Sequence, residues 1–274
     1  VVERPPLRGA YRGYEILTAP PPSSGGIGLL QMLGMLEESE YFRGGAGSAA
    51  AIHFMAEVQR RFYADRSEHL ADPEFHPVPV SRLLDRDYIA ARRRSIDPER
   101  ATPSSAIRPG QVAAAERESA ETTHYSVVDA EGNAVAVTYT LNGSYGSGVT
   151  PQGLGFLLNN EMDDFSAKPG APNLYGAIQG EANRVEPYKH PLSSMTPTIV
   201  LRDGALRMVL GSPGGTTIIN TVLEVLVNVL DFGMNIQRAV EFPRFHHQWL
   251  PDELRLEQDV SPDTIRLLKA RGHK

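Results

Sequence analysis

The chain has 274 residues, a 41% hydrophobic fraction and a formal net charge of −6, enough apolar content for a buried core in one large domain or two modest ones. An acidic balance without a basic stripe argues against nucleic acid, because nothing would displace counterions from phosphates. The absence of cysteine excludes disulfides, zinc–thiolate sites and a thiol nucleophile, and no run nears the roughly 20 apolar residues of a membrane span.

The opening "VVERPPLRGAYRGYEI" lacks Met and enters a strand-like run at once, as the interior of a longer protein would. Tyr14 to Thr18 fits a short strand before the stiff bend Pro20-Pro21-Pro22. Ser23 or Ser24 can then cap a helix to about Glu38, striped by Leu29, Leu30, Leu33 and Leu36. A second helix is predicted from about Ser48 to Leu70, with Ile52, Met55, Val58 and Phe62 near helical spacing. A third covers roughly Ser81 to Arg94. Residues 96–121 lose periodicity and gain Pro, Ser, Glu and Ala, the composition of an exposed, mobile connection.

From His124 the pattern changes. Residues 124–130 and 134–141 alternate as paired strands around Gly132-Asn133. A Gly/Pro/Asn-rich loop spans roughly 165–190. A second hairpin, "TPTIVL" and "LRMVLGS", turns at Arg202-Asp203-Gly204. Then "SPGG" opens the helix "TTIINTVLEVLVNVLDFG", apolar on more than one face and so expected to be buried. Helices near 235–241 and 261–271 close the chain. Strands with helices packed on them predict a layered α/β or α+β domain.

Three stretches carry candidate chemistry. "ETTHYSVV" places Thr122 and Thr123 after the polar connection. A threonine hydroxyl is a weak nucleophile and needs a base; the α-amine of the same residue, with a pKa of about 7.7–8.0, can serve if the Glu121–Thr122 bond is cut. On pattern alone, two β-branched residues starting a strand are the simpler explanation. "GSPGG" at 211–215 can turn backbone N–H groups toward a phosphate or a tetrahedral oxyanion beside a helix N-terminus, or can be a tight turn. It lacks the Gly-Lys-Ser/Thr ending of a nucleotide loop. "NNEMDDF" sets Glu161, Asp163 and Asp164 together, either solvated or facing a cation, and "PLSSM" offers the hydroxyls of Ser193 and Ser194. His246-His247 point apart, with no carboxylate at a ligand interval, so no metal site is expected.

Taken in order, "PPPSSGG", "YADRSEHLADPEF", "PSSAIRPG", "TTHYSVVD", "NAVAVTYTLN", "LLNNEMDDFSAKPG", "PLSSMTPTIV", "GSPGG" and "PRFHHQWLPDELRLE" resemble the γ-glutamyltransferase family, bacterial type, over essentially the whole chain. The resemblance implies an α+β N-terminal-nucleophile hydrolase fold, here part of a four-layer αββα sandwich. It implies a precursor that cleaves itself between Glu121 and Thr122. Residues 1–121 would belong to the large subunit, and 122–274 to most of the small catalytic one, the two forming a heterodimer. Thr122 would attack the γ-carbonyl of glutathione or a related γ-glutamyl compound, with its freed amine as general base. Thr140 would hydrogen-bond the nucleophile, and Gly214 and Gly215 would form the oxyanion hole. Ser193 and Ser194 would bind the substrate α-carboxylate; Asn142, Glu161 and Asp164 would bind its α-ammonium. Tyr175 would belong to a lid loop.

Water as acceptor would give hydrolysis, and an amino acid or dipeptide amine would give transfer. The resemblance implies no cofactor and a periplasmic or secreted location. It places a further carboxylate-binding arginine and the last small-subunit strands outside this chain, so the 274 residues alone are expected to be inactive or weakly active. Within the fold, a cephalosporin (glutaryl) acylase or a poly-γ-glutamate depolymerase is the alternative; outside it, a non-catalytic glutamate-binding fragment. The acidic pair favours a substrate with a free α-ammonium.

Overall fold

The computed structural model describes residues 2–108, 122–166, 168 and 179–274. Its central sheet has four antiparallel strands in the order β1 (Leu7–Tyr11), β2 (Tyr14–Thr18), β5 (Thr198–Arg202), β6 (Ala205–Leu210). Both hairpins of this sheet close through two residues with positive φ, Arg12-Gly13 and Asp203-Gly204, the turn whose twist matches that of the flanking strands. Strand β1 follows from the strand-like opening, whose bounds the residue pattern leaves open. The β2–β5 pairing, from Glu15↔Leu201 to Thr18↔Thr198, joins residues before and after Thr122 in one ladder. A cut at Glu121–Thr122 would therefore leave the two pieces held by sheet hydrogen bonds.

One face of the sheet carries α1 (Gly25–Glu37), α2 (Ala49–His69) and α5 (Thr217–Leu230). Burying Ile27, Leu29, Met32, Leu33, Leu36, Val58, Phe62, Ile219, Leu223 and Leu226 against Ile16 and Val200 makes the main core, with each such side chain contributing roughly 1.5–3 kcal/mol on burial. Helix α1 approaches α2 closely because a Cβ at Gly28 would overlap the Phe62 ring. Ser48 caps α2 through its hydroxyl, which accepts from Ala51 N at 3.2 Å. The predicted third helix is two, α3 (Val80–Leu83) and α4 (Arg86–Arg94). Asp85 divides them, its carboxylate accepting from the amides of Asp87 and Tyr88 as an N-cap does.

The hairpin β3 (Thr123–Val128) and β4 (Ala134–Tyr139) lies against β5 and β6. Its inner face carries His124, Ser126, Ala136 and Thr138, small or polar groups that permit close approach. Ser126 donates to the Val209 carbonyl at 3.1 Å, and a Cβ at Gly211 would overlap the His124 ring. Helices, sheet and hairpin are thus three successive layers of a mixed α and β structure. Helices α6 (Ile236–Glu241) and α7 (Pro262–Ala270), with the short strands β7 (Phe245–His246) and β8 (Arg255–Leu256), flank α5 and α2.

Within 96–108 most side chains are exposed, at 97–100, 103, 105, 106 and 108, but the backbone is anchored at intervals. Ile96, Ala101, Ser104 and Ile107 are buried, because two distant carboxylates pin the backbone. Glu57 accepts from Thr102 N and Oγ1, and Asp252 accepts from Ser104 N and Oγ. The rest of that stretch, 109–121, lies outside the described residues.

Candidate active site

Thr122 immediately precedes β3, half-buried, with its Oγ1 3.5 Å from Thr140 Oγ1. Thr140 Oγ1 in turn accepts from Asn142 N at 2.8 Å. Asn142 is 3% exposed and has φ of 71°, a left-handed conformation that Asn tolerates better than most residues. Its side-chain amide donates to the Asn160 carbonyl at 3.1 Å, and Asn160 Oδ1 accepts from Gly143 N. Strand β4 thus runs into a fixed turn beside the residues leading to the acidic cluster.

Contacts Ser126–Val209 and His124–Gly211 share one antiparallel offset. Carried two residues further, it sets Thr122 level with Pro213, next to Gly214. Gly214 and Gly215 have φ of 131° and 55°, which a side chain would make strained. The Gly214 carbonyl accepts from Thr217 N and Oγ1, and the Gly215 carbonyl accepts from Ile218 N. Both carbonyls are turned into the first turn of α5. Tyr63 of α2 donates its hydroxyl to the Thr216 carbonyl and fixes the same turn from behind. Such a junction, at the positive end of a 14-residue helix, favours anionic oxygen.

Glu161 and Asp164 sit on one short 3₁₀ turn, anchored by the buried Phe165 and by Asn183, whose Nδ2 donates to the Asp164 carbonyl at 2.7 Å. Their carboxyl groups are hydrogen-bonded to each other. Burial pushes the Asp164 carboxyl well above the usual carboxylate range; neighbouring Glu161 adds to this, and Arg66 opposes it. Glu161 is also shifted upward, by burial. A half-buried acidic pair of this kind favours sharing a proton.

Ser193 and Ser194 are held by residues from the other part of the chain. Segment Pro22–Ser24 runs parallel to them through the Ser23↔Ser193 bridge. The Ser193 carbonyl accepts from Ser24 N and Ser24 Oγ, at 2.8 and 2.7 Å. Ser24 therefore begins α1 without capping it through its side chain. Ser194 Oγ accepts from Arg66 Nη2 at 3.0 Å. The sequence offers Ser24 only as a helix cap and gives Arg66 no role, although both fall within motifs quoted above, "PPPSSGG" and "YADRSEHLADPEF". Glu121 and Tyr175 lie outside the described residues.

His246 and His247 belong to the core. His246 bonds Asn220 and Gln248, and His247 meets Arg60 and Asp252. Burial holds them neutral, at about 3 for His246 and about 4 for His247. A cavity of about 650 Å³ opens between the hairpin, α5 and α6, lined by His124, Gly211, Pro213, Val225 and Val240 among others. None of Thr122, Glu161, Asp164, Ser193 or Ser194 lines it, so its volume is no measure of the site described here.

The gamma-glutamyltranspeptidase family model matches residues 1–274. A glutathione hydrolase proenzyme of Escherichia coli is 56% identical over 273 residues, covering 100% of this chain and 47% of that protein. An acylase ACY 1 proenzyme of a Pseudomonas species is 40% identical over 272 residues, covering 99% of this chain and 45% of that protein. The chain thus spans about half the length of the curated relatives it matches. A cephalosporin acylase structure from Bacillus halodurans superposes with a TM-score of 0.81 at 24% identity, over 98% of this chain and 45% of that one; at that identity it shows the fold alone. A Helicobacter pylori gamma-glutamyltranspeptidase structure (a T380A mutant) gives a TM-score of 0.55 at 59% identity, over 56% of this chain and 82% of that one. These neighbours have the N-terminal-nucleophile hydrolase fold, and sequence and fold agree: the chain belongs to the gamma-glutamyltranspeptidase family.

Proposed function

We propose that the protein carrying this chain is a self-processing γ-glutamyltransferase and glutathione hydrolase that works through a Thr122 acyl-enzyme. The observation that carries this reading is the position of Thr122: immediately before β3, with its Oγ1 3.5 Å from Thr140 Oγ1. In processing, Thr122 Oγ attacks the Glu121 carbonyl, the peptide bond gives way to an ester, and water releases Glu121 as a carboxylate and Thr122 as a free amine. Two further findings support it. A relative at 56% identity is named a proenzyme, and the matched H. pylori chain covers 56% of this chain.

In turnover the Thr122 amine takes the hydroxyl proton as Oγ adds to the γ-carbonyl. The amides of Gly214 and Gly215 receive the oxyanion, where one lost donor costs about 2.7–4 kcal/mol of barrier. Collapse expels the leaving amine, which takes the proton from the Thr122 ammonium and leaves a γ-glutamyl ester. Water then yields glutamate; an amino acid or dipeptide amine yields a new γ-glutamyl amide. Ser193 and Ser194 hold the α-carboxylate. Asn142 and the Glu161–Asp164 pair hold the α-ammonium, the pair giving up its shared proton as the cation binds. Tyr175 would cover the site. The two processed pieces would stay together as large and small subunits, and export to the periplasm or medium would be set outside this chain. Among the described residues no helix is long and apolar enough to cross a membrane.

An acylase acting on glutaryl substrates is the second reading, favoured by the 40% identical relative. The acidic pair opposes it, because a site with two carboxyl groups loses affinity when the substrate has no cation to face them. Hydrolysis of γ-glutamyl and glutaryl anilides by the full-length protein decides between them. Higher kcat/KM on the γ-glutamyl anilide is expected, and a clear glutaryl preference would replace this function with the acylase.

A further inference from the structure

We propose that Arg66 is a positioning residue for the substrate α-carboxylate, acting through Ser194 from a helix before the processing bond. The proposal rests on the γ-glutamyl reading above. Arg66 lies in the last turn of α2 and is 3% exposed. Its Nε donates to Ser24 Oγ at 2.9 Å and its Nη2 donates to Ser194 Oγ at 3.0 Å. Ser24 Oγ passes its own proton to the Ser193 carbonyl at 2.7 Å. One guanidinium therefore fixes the side chain of Ser194 directly and the backbone of Ser193 through one hydroxyl.

The direction of these bonds matters. A guanidinium only donates, so Ser194 Oγ is the acceptor toward Arg66 and its single proton points elsewhere. A hydroxyl that accepts from a cation is polarised and becomes a better donor to an anion. The same positive charge opposes the upward shift of Asp164, so it acts on both halves of an amino-acid head group. A planar fork spanning two hydroxyls at fixed angles is a task for Arg that Lys performs only in part.

Three anilides separate this role from a general structural one, assayed on the full-length protein. The γ-glutamyl substrate has both head-group charges, the 4-aminobutyryl substrate lacks the carboxylate, and the glutaryl substrate lacks the ammonium. In the wild type, γ-glutamyl is preferred over both. Arg66→Gln should raise the γ-glutamyl KM roughly 10- to 100-fold with a smaller change in kcat. The preference for γ-glutamyl over 4-aminobutyryl should fall at least about 10-fold, because the latter has no carboxylate to lose. Arg66→Lys should recover part of that preference, and Ser24→Ala should lower it less than Arg66→Gln does.

Equal losses on the two substrates, or an unchanged preference, overturn the proposal. If Arg66→Gln fails to fold by thermal unfolding, the ratios of Arg66→Lys and Ser24→Ala decide, and wild-type ratios in both overturn it. A wild type with no preference for γ-glutamyl refutes the functional reading itself, before any variant is compared.

Discussion

Helix α2 carries two sets of buried arginines, and they end differently. Arg60 and Arg61, just past the helix midpoint, close on Glu57, whose carboxylate is fully buried and also takes Thr102. Burial pushes the Glu57 carboxyl up, but Arg60 and Arg61 pull it below its ordinary value. His247, Asp252 and Ser104 extend the same network. Arg66, six residues on, is directed at the hydroxyls of Ser24 and Ser194 and faces the Asp164 side of the acidic turn. A network in which carboxylates and cations answer each other is structural. One whose cation is directed at hydroxyls beside an acidic pair is the arrangement expected of the proposed head-group site.

The largest effect belongs to the nucleophile. Thr122→Ala in the full-length protein should remain one chain on a denaturing gel and lose on the order of 10⁴–10⁶-fold in γ-glutamyl anilide turnover; cleavage at the same bond in that variant would refute self-processing. Glu57→Ala tests the closed network: it removes the carboxylate shared by two buried guanidinium groups, leaving Arg60 only Asp252, and should cost about 3–5 kcal/mol in thermal or denaturant unfolding. Its γ-glutamyl to 4-aminobutyryl ratio should stay at the wild-type value, in contrast to Arg66→Gln. Gly214→Ala, at φ of 131°, should lower kcat roughly 100- to 1000-fold through a misplaced oxyanion donor, with KM changing less. A proportionate change in KM instead would move Gly214 from the reacting centre to substrate binding.

A pH dependence of the buried core completes the comparison. His246 and His247 are neutral when folded, at about 3 and about 4, and would titrate near 6.5 when unfolded. Their folded values are depressed, so their contribution is whole above pH 6.5 and is lost as pH falls below it, toward about 4 for His247 and about 3 for His246. The slope is about 1.4 kcal/mol per pH unit for each histidine. Melting temperatures between pH 7 and 4.5 should decline accordingly, and a flat profile would remove these histidines from the buried network.

Where local pattern determines structure, the sequence is a sufficient guide: the apolar stripes of α1 and α2, the Asp203-Gly204 hairpin and the burial of α5 follow from periodicity and turn chemistry. It fails where the partner is distant. Residues 96–108 carry few apolar side chains and are mostly exposed, yet Glu57 and Asp252 pin Thr102 and Ser104 to the core. Ser24 has the composition of a cap, but its hydroxyl is drawn to Ser193, 169 residues away. Ser193 and Ser194 as an isolated pair mean little; the arginine behind them comes from 128 residues earlier. The roles expected for Thr122, Thr140 and the two glycines came from family resemblance, because a threonine opening a strand has no local signature of reactivity.

The most direct test of the central claim is the N-terminal sequence of each polypeptide in purified, active full-length protein. The account predicts two chains, the smaller beginning Thr122-Thr123-His124-Tyr125. An active protein that is uncut at Glu121–Thr122, or cut only elsewhere, would contradict it.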